Sequence, residues 1–186
     1  MALSGTGTAT SADSRPSQAH ARATATTLEG MSSPLPVPLP LVLDTNVVLD
    51  VLVFDDPFVR PLAEALATGA VTPWASVHTL KELELVLAYP TFALDEGARH
   101  TLFARYQRLV RMLPETSEAP LPTLPRCRDR DDQKFLELAA RSGASWLVSK
   151  DKRVLSMAGW HGLPFDILSS RRAAERLCQG IPRAVR

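Results

Sequence analysis

Cysteine is scarce in this chain: Cys127 and Cys178 are the only two. They stand far apart, in no metal-ligand spacing. That excludes a disulfide framework and a cysteine-built zinc site, and the expectation is a reduced, cytoplasmic chain. Long apolar runs are also missing. No stretch reaches the roughly 20 residues a membrane-spanning helix needs. No apolar segment followed by small residues marks a secretory signal, so no membrane is expected among the partners. Net charge is nearly absent, +1 from 21 Lys and Arg against 20 Asp and Glu. No global field draws the chain to nucleic acid or anionic lipid, and any such site must be local. Neither a GxGxxG nor a P-loop occurs, which removes the common nucleotide-cradling loops. What remains is 45% hydrophobic and 22% charged over 186 residues, the composition of one globular domain with a tail.

The tail comes first. Residues 1–38 are expected to be a disordered extension. Up to about residue 30 they are mostly Ala, Thr, Ser and Gly, with too little apolar surface to offset chain entropy. Met31, followed by SSPLPVPLP, is an alternative start, and the alternating prolines make a stiff lead-in. Residues 39–180 are expected to form the folded domain. Leu41–Leu43 is a short run without alternation, as in a strand buried on both faces. Helical and strand patterns then alternate. Ser76 caps a helix with Leu80, Leu83 and Leu87 at spacings of three and four, ended by Tyr89-Pro90. A long helix is expected over about Leu94–Leu109, and a Pro-rich loop over Glu115–Arg126. A helix opens at Asp131 or Asp132 and closes at Gly143, and strands are expected at Ser145–Val148 and Phe165–Leu168. Strands separated by helices imply an α/β fold, a central parallel sheet covered on both sides.

Four acids stand out by context. Asp44 ends the first strand and is followed at once by Thr45 and Asn46. Asp151 follows the strand SWLV by three residues. Both therefore sit at the carboxyl edge of the sheet, where open α/β folds bind ligands. Glu82 lies beside the apolar stripe of its helix, with Glu84 equally placed by spacing alone. Asp132 falls in the first turn of the helix opened by DRDD, and Asp129 and Asp131 lie beside it. Asp50 is a further acid just beyond the first. Carboxylates converging on one crevice repel one another, and a hard divalent cation, Mg²⁺ or Mn²⁺, resolves that repulsion with oxygen ligands. Such a site suits phosphodiester hydrolysis. Each acid also has a plain structural explanation, as a helix cap or a turn residue.

Three stretches carry a family resemblance. LVLDTNVVLDVLVF resembles the opening of a PIN domain. ASVHTLKELELVLAYPTF resembles the PIN helix that runs from a Ser-capped start through an acidic residue, an alignment that selects Glu82 over Glu84. CRDRDDQKFLELAARSGASWLVSKDKRVL is similar to the Cys-Arg-Asp-x-Asp-Asp segment and following strand of PIN proteins that are toxins of toxin–antitoxin pairs. Ser149 stands where the family usually has Thr. The resemblance spans about Leu41 to Ser170. It implies a three-layer α/β/α sandwich and a Mg²⁺- or Mn²⁺-dependent endoribonuclease acting on single-stranded RNA. Asp44, Glu82, Asp132 and Asp151 would be the catalytic, metal-holding acids, and Thr45, Asn46 and Ser149 would orient them. A small antitoxin is the implied protein partner, and a homodimer is a further expectation.

Lys150 and Lys152 flank Asp151 and are expected to meet substrate phosphate. Arg99, Arg105, Arg108 and Arg111 lie along the long helix and read more simply as a solvated face. Trp74, Trp146 and Trp160 are expected in the core. Two other readings stand beside the nuclease. One is a catalytically weak PIN-like module that binds RNA or protein. The other is an aspartate-based phosphatase or receiver-like domain with Asp44 as phospho-acceptor, although Asn46 occupies the place of the second Asp in a DxD pattern.

Overall fold

A computed structural model describes residues 37–54, 56–115 and 122–180. The expected N-terminal extension, apart from its last two residues, and the alternative start at Met31 lie outside the described residues, as does the middle of the Pro-rich loop.

The sheet is built on β1 (Leu39–Leu43), which has neighbours on both sides. β2 (Val71–Ala75), β3 (Arg111–Met112), β4 (Trp146–Val148) and β5 (Asp166–Leu168) complete it. The order is β3-β2-β1-β4-β5 and every pairing is parallel. Leu41 lies opposite both Pro73 and Trp146. β3 pairs with β2 only from Trp74 onward, so Pro73 sits where the outer side of β2 is still open and a missing N–H is tolerated.

Two cores cover the two faces, and side-chain alternation along the strands assigns them. Leu41, Leu43, Trp146 and Val148 face one cluster, joined by Val47, Val48, Leu62, Leu66, Leu83, Leu87 and Ala173. Val42, Leu147 and Ile167 face the other, with Phe135, Leu136, Leu138, Val154 and Met157. A strand buried on both faces shows no polar alternation in sequence, which is why LVL reads as a plain apolar run. The first layer is supplied by α1 (Thr45–Leu49), α2 (Arg60–Ala67), α3 (Val77–Leu87), α4 (Glu96–Leu109) and α7 (Ser170–Cys178). The second comes from α5 (Gln133–Ser142) and α6 (Lys152–Leu155). This is a three-layer α/β/α sandwich.

Local chemistry sets the element ends. Ser76 accepts from the Thr79 N–H while the Thr79 hydroxyl accepts from the Ser76 N–H, a capping box that starts α3. Gly143, at φ 64°, closes α5 in the left-handed region glycine adopts without strain. Three details depart from the sequence expectations. α1 widens into a π turn over Asp50–Phe54. The segment after α4 contributes the two-residue edge strand β3, too short to carry a pattern. Trp160, expected in the core, is 55% exposed.

Candidate active site

The carboxyl ends of β1 and β4 lie side by side, joined by a hydrogen bond from the Asp44 N–H to the Val148 carbonyl at 2.9 Å. That rung brings the residues following each strand together. Asp44 is only 3% exposed. One of its carboxylate oxygens accepts from the Asn46 N–H at 3.2 Å, and the other accepts from the Ser149 hydroxyl at 2.5 Å. Ser149 is fully buried, and its oxygen in turn accepts from the Asp151 N–H at 3.0 Å. A single hydroxyl thus ties Asp44 to the loop that carries Asp151. Thr, the usual family residue, would offer the same hydroxyl.

Burial raises the Asp44 carboxyl above its ordinary range, the bonds from Ser149 and Asn46 pull it down, and the charges of Glu82 and Asp151 push it up again. The Asp132 carboxyl is pushed up to about 6, first by burial and then by the charges of Asp44, Asp151, Asp129 and Glu82. The charges of Glu82 and Asp151 are thus felt at both Asp44 and Asp132. Asp132 takes the N-cap place of α5 with no side-chain capping bond, so helix capping does not account for its carboxylate. Asp151 does cap α6, accepting from the Arg153 N–H at 2.6 Å.

Within DRDD, Asp131 is exposed, whereas Asp129 pairs with Arg153 and adds to the field on Asp132. Glu84 is exposed and takes no part in these interactions, while Glu82 is part-buried. The Glu82 carboxylate pairs with the Lys134 ammonium on α5. Lys134 was not anticipated from sequence; its place two residues beyond Asp132, on the same helix start, was the available signal.

The supporting residues are less uniform. Ser149 contacts Asp44 directly. Asn46 reaches it through its backbone N–H, and its exposed side chain makes no hydrogen bond among those described. Thr45 is buried beside Asp44 with no described hydrogen bond to an acid. Lys150 is already committed: its ammonium lies 3.0 Å from one oxygen of Asp50 and 2.9 Å from the other. Good hydrogen-bond geometry is met only at the first of these, leaving the second oxygen unpartnered. Asp50 is 5% exposed, so it is an anion held inside the fold by Lys150 rather than a solvated acid. Lys152 is exposed and makes no ion pair among the described residues.

No three His, Cys, Asp or Glu side chains among the described residues are gathered closely enough to hold a metal ion as they stand. In chemistry the set suits Mg²⁺ or Mn²⁺. Its donors are all oxygen, and their mutual repulsion marks a place short of positive charge.

A parallel α/β/α sandwich with Asp44 and Asp151 linked through Ser149 at the carboxyl edge of its sheet defines the class. The chain belongs to the PIN domain family, whose model matches residues 40–153. PIN domains are generally nucleases, hydrolases that typically use divalent metals. No curated protein matches the chain. Among the described residues no helix is long and apolar enough to cross a membrane.

Proposed function

We propose that this protein is a Mg²⁺- or Mn²⁺-dependent endoribonuclease that cleaves single-stranded RNA, and that it is the toxin of a toxin–antitoxin pair acting in the cytoplasm. The observation that supports the nuclease reading is the Asp44–Ser149–Asp151 linkage at the ends of β1 and β4, with the charges of Glu82 and Asp151 felt at both Asp44 and Asp132.

In this reading those four carboxylates hold the cation. When bound, it supplies Lewis-acid activation of water and neutralises charge that develops on the phosphodiester. The protein's own residues supply orientation. Ser149 fixes Asp44 and, through the Asp151 N–H, the start of α6, so two acids keep their places without rearranging during the reaction. Lys134 holds Glu82 against repulsion from the other acids. Lys152 is left to meet substrate phosphate, and Lys150 acts by bracing the loop through Asp50. The toxin role, a small antitoxin partner and a homodimer rest on the motif resemblance.

The test is cleavage of single-stranded RNA with Mg²⁺, with Mn²⁺ and with EDTA, comparing wild type with Asp44→Asn and Asp132→Asn. Metal-dependent cleavage lost in both variants supports the reading. Cleavage that survives EDTA, or wild type inert with either metal, refutes it. Growth arrest on expression, abolished by Asp44→Asn, tests the toxin role.

A further inference from the structure

A groove of about 510 Å³ runs between α3 and the start of α5, a size within the range of small-ligand sites. On one wall it carries His78, Lys81, Glu82, Leu85 and Val86, which recur at spacings of three and four and so share one face of α3, with Tyr89 just past the helix end. Arg130, Asp131 and Lys134 form the other wall. The Glu82–Lys134 ion pair sets the alignment of the two walls. Glu82 also belongs to the candidate acid group, so the groove and the candidate active site share a residue.

We infer that this groove binds a single-stranded stretch of the RNA substrate, with phosphates on Lys81 and Arg130 and a base on Tyr89. This rests on the nuclease reading above. Lys81 and Arg130 are exposed and make no ion pair among the described residues, so their charge is available to a polyanion. Tyr89 is 55% exposed and Leu85 58%. An exposed ring lining the same groove as Lys81 and Arg130 suits stacking, which every base accepts. Leu85 lies three positions past Glu82, about 4.5 Å along the helix axis, and Tyr89 follows just beyond the end of α3. A strand stacked there reaches the acids after a short step. An acidic peptide would match the cations but leave the ring without a partner.

The experiment measures binding of a short fluorescent oligouridylate to the full chain in EDTA, so that binding is separated from cleavage. Lys81→Glu is expected to weaken binding at least about 10-fold and to flatten its salt dependence. Tyr89→Ala is expected to weaken it about 5- to 100-fold, while Tyr89→Phe keeps it, because stacking survives. Both side chains are exposed, so melting temperatures should not move. Iodouridine in the probe should crosslink wild type at Tyr89. The groove assignment is overturned if all three variants bind as wild type, if wild type does not bind, or if polyglutamate competes as well as RNA while Tyr89→Ala is silent. The two readings separate in the parallel cleavage assay. Metal-dependent cleavage unchanged by the variants removes the groove and keeps the nuclease. Groove-dependent binding without any cleavage removes the nuclease and keeps the groove.

Discussion

Replacing Ser149 with Ala removes the hydroxyl on which the candidate site is hung. Two bonds go at once: the donation to Asp44 at 2.5 Å and the acceptance from the Asp151 N–H at 3.0 Å. Ser149 is fully buried and Asp44 is 3% exposed, so water cannot simply replace the lost hydroxyl at Asp44. A charge-assisted bond is worth about 1.5–3 kcal/mol, and a buried polar group left unpaired costs about 1–3 kcal/mol. The Asp151 N–H is nearer solvent and adds less, so the expected destabilisation is about 2–4 kcal/mol near neutral pH. The loss has a pH signature. The Ser149 bond lowers the Asp44 carboxyl, and without it the folded-state value rises further. A raised carboxyl favours the folded state below its titration and disfavours it above. The deficit of Ser149→Ala should therefore grow as pH rises and shrink on acidification. Urea unfolding at about pH 7.5 and about pH 4.5 measures both effects. Ser149→Thr keeps both bonds and should cost only the fit of one methyl group, about 1 kcal/mol. A loss under about 1 kcal/mol in Ser149→Ala, equal at both pH values, would show that the hydroxyl does not hold Asp44.

Three further outcomes are expected. The Asp132 carboxyl, raised to about 6, gives stability that is fully present below about pH 4 and is lost as pH rises through about 6. Asp132→Asn should then raise metal-free stability near neutral pH by about 1–2 kcal/mol after solvent screening, read by thermal melts across pH; a destabilised variant would contradict it. Lys150→Ala leaves Asp50 as a buried anion without its cation and should cost about 1–3 kcal/mol, whereas the double variant with Asp50→Asn should recover most of that; equal losses in single and double variants would deny the pairing. Mn²⁺ should raise the melting temperature of wild type and leave Asp44→Asn unmoved, and an equal rise in both would place the ion elsewhere.

The layered fold was legible because its cause is local. LVL followed by Asp-Thr-Asn marks a doubly buried strand that turns into a helix, and the capped leucine stripe from Ser76 marks the next helix. Strand β3 was not legible. Two exposed residues, Arg111 and Met112, carry no periodicity, and only the neighbouring strand makes them one. Trp160 was misread for a related reason. A large apolar residue is usually buried, but nothing in the turn around it supplies a second layer to cover it.

At the site, the sequence speaks about carboxylates and is nearly silent about their counterions. Asp44, Asp132 and Asp151 could be singled out because each stands at a strand end or helix start. The partners of Lys134 and Lys150 could not, because a lysine finds its partner through a long flexible stem and through tertiary proximity. Yet these cations decide what each acid can do. Lys150 is paired with Asp50, a contact that braces its loop. Lys134 occupies Glu82, so on the proposed reading any ion held with the help of Glu82 must compete with an ammonium already in place. The acid group is thus partly neutralised from within at Glu82 and short of positive charge around Asp132. Relief by a cation should therefore be felt first among Asp44, Asp132 and Asp151, with Glu82 joining only as Lys134 lets go.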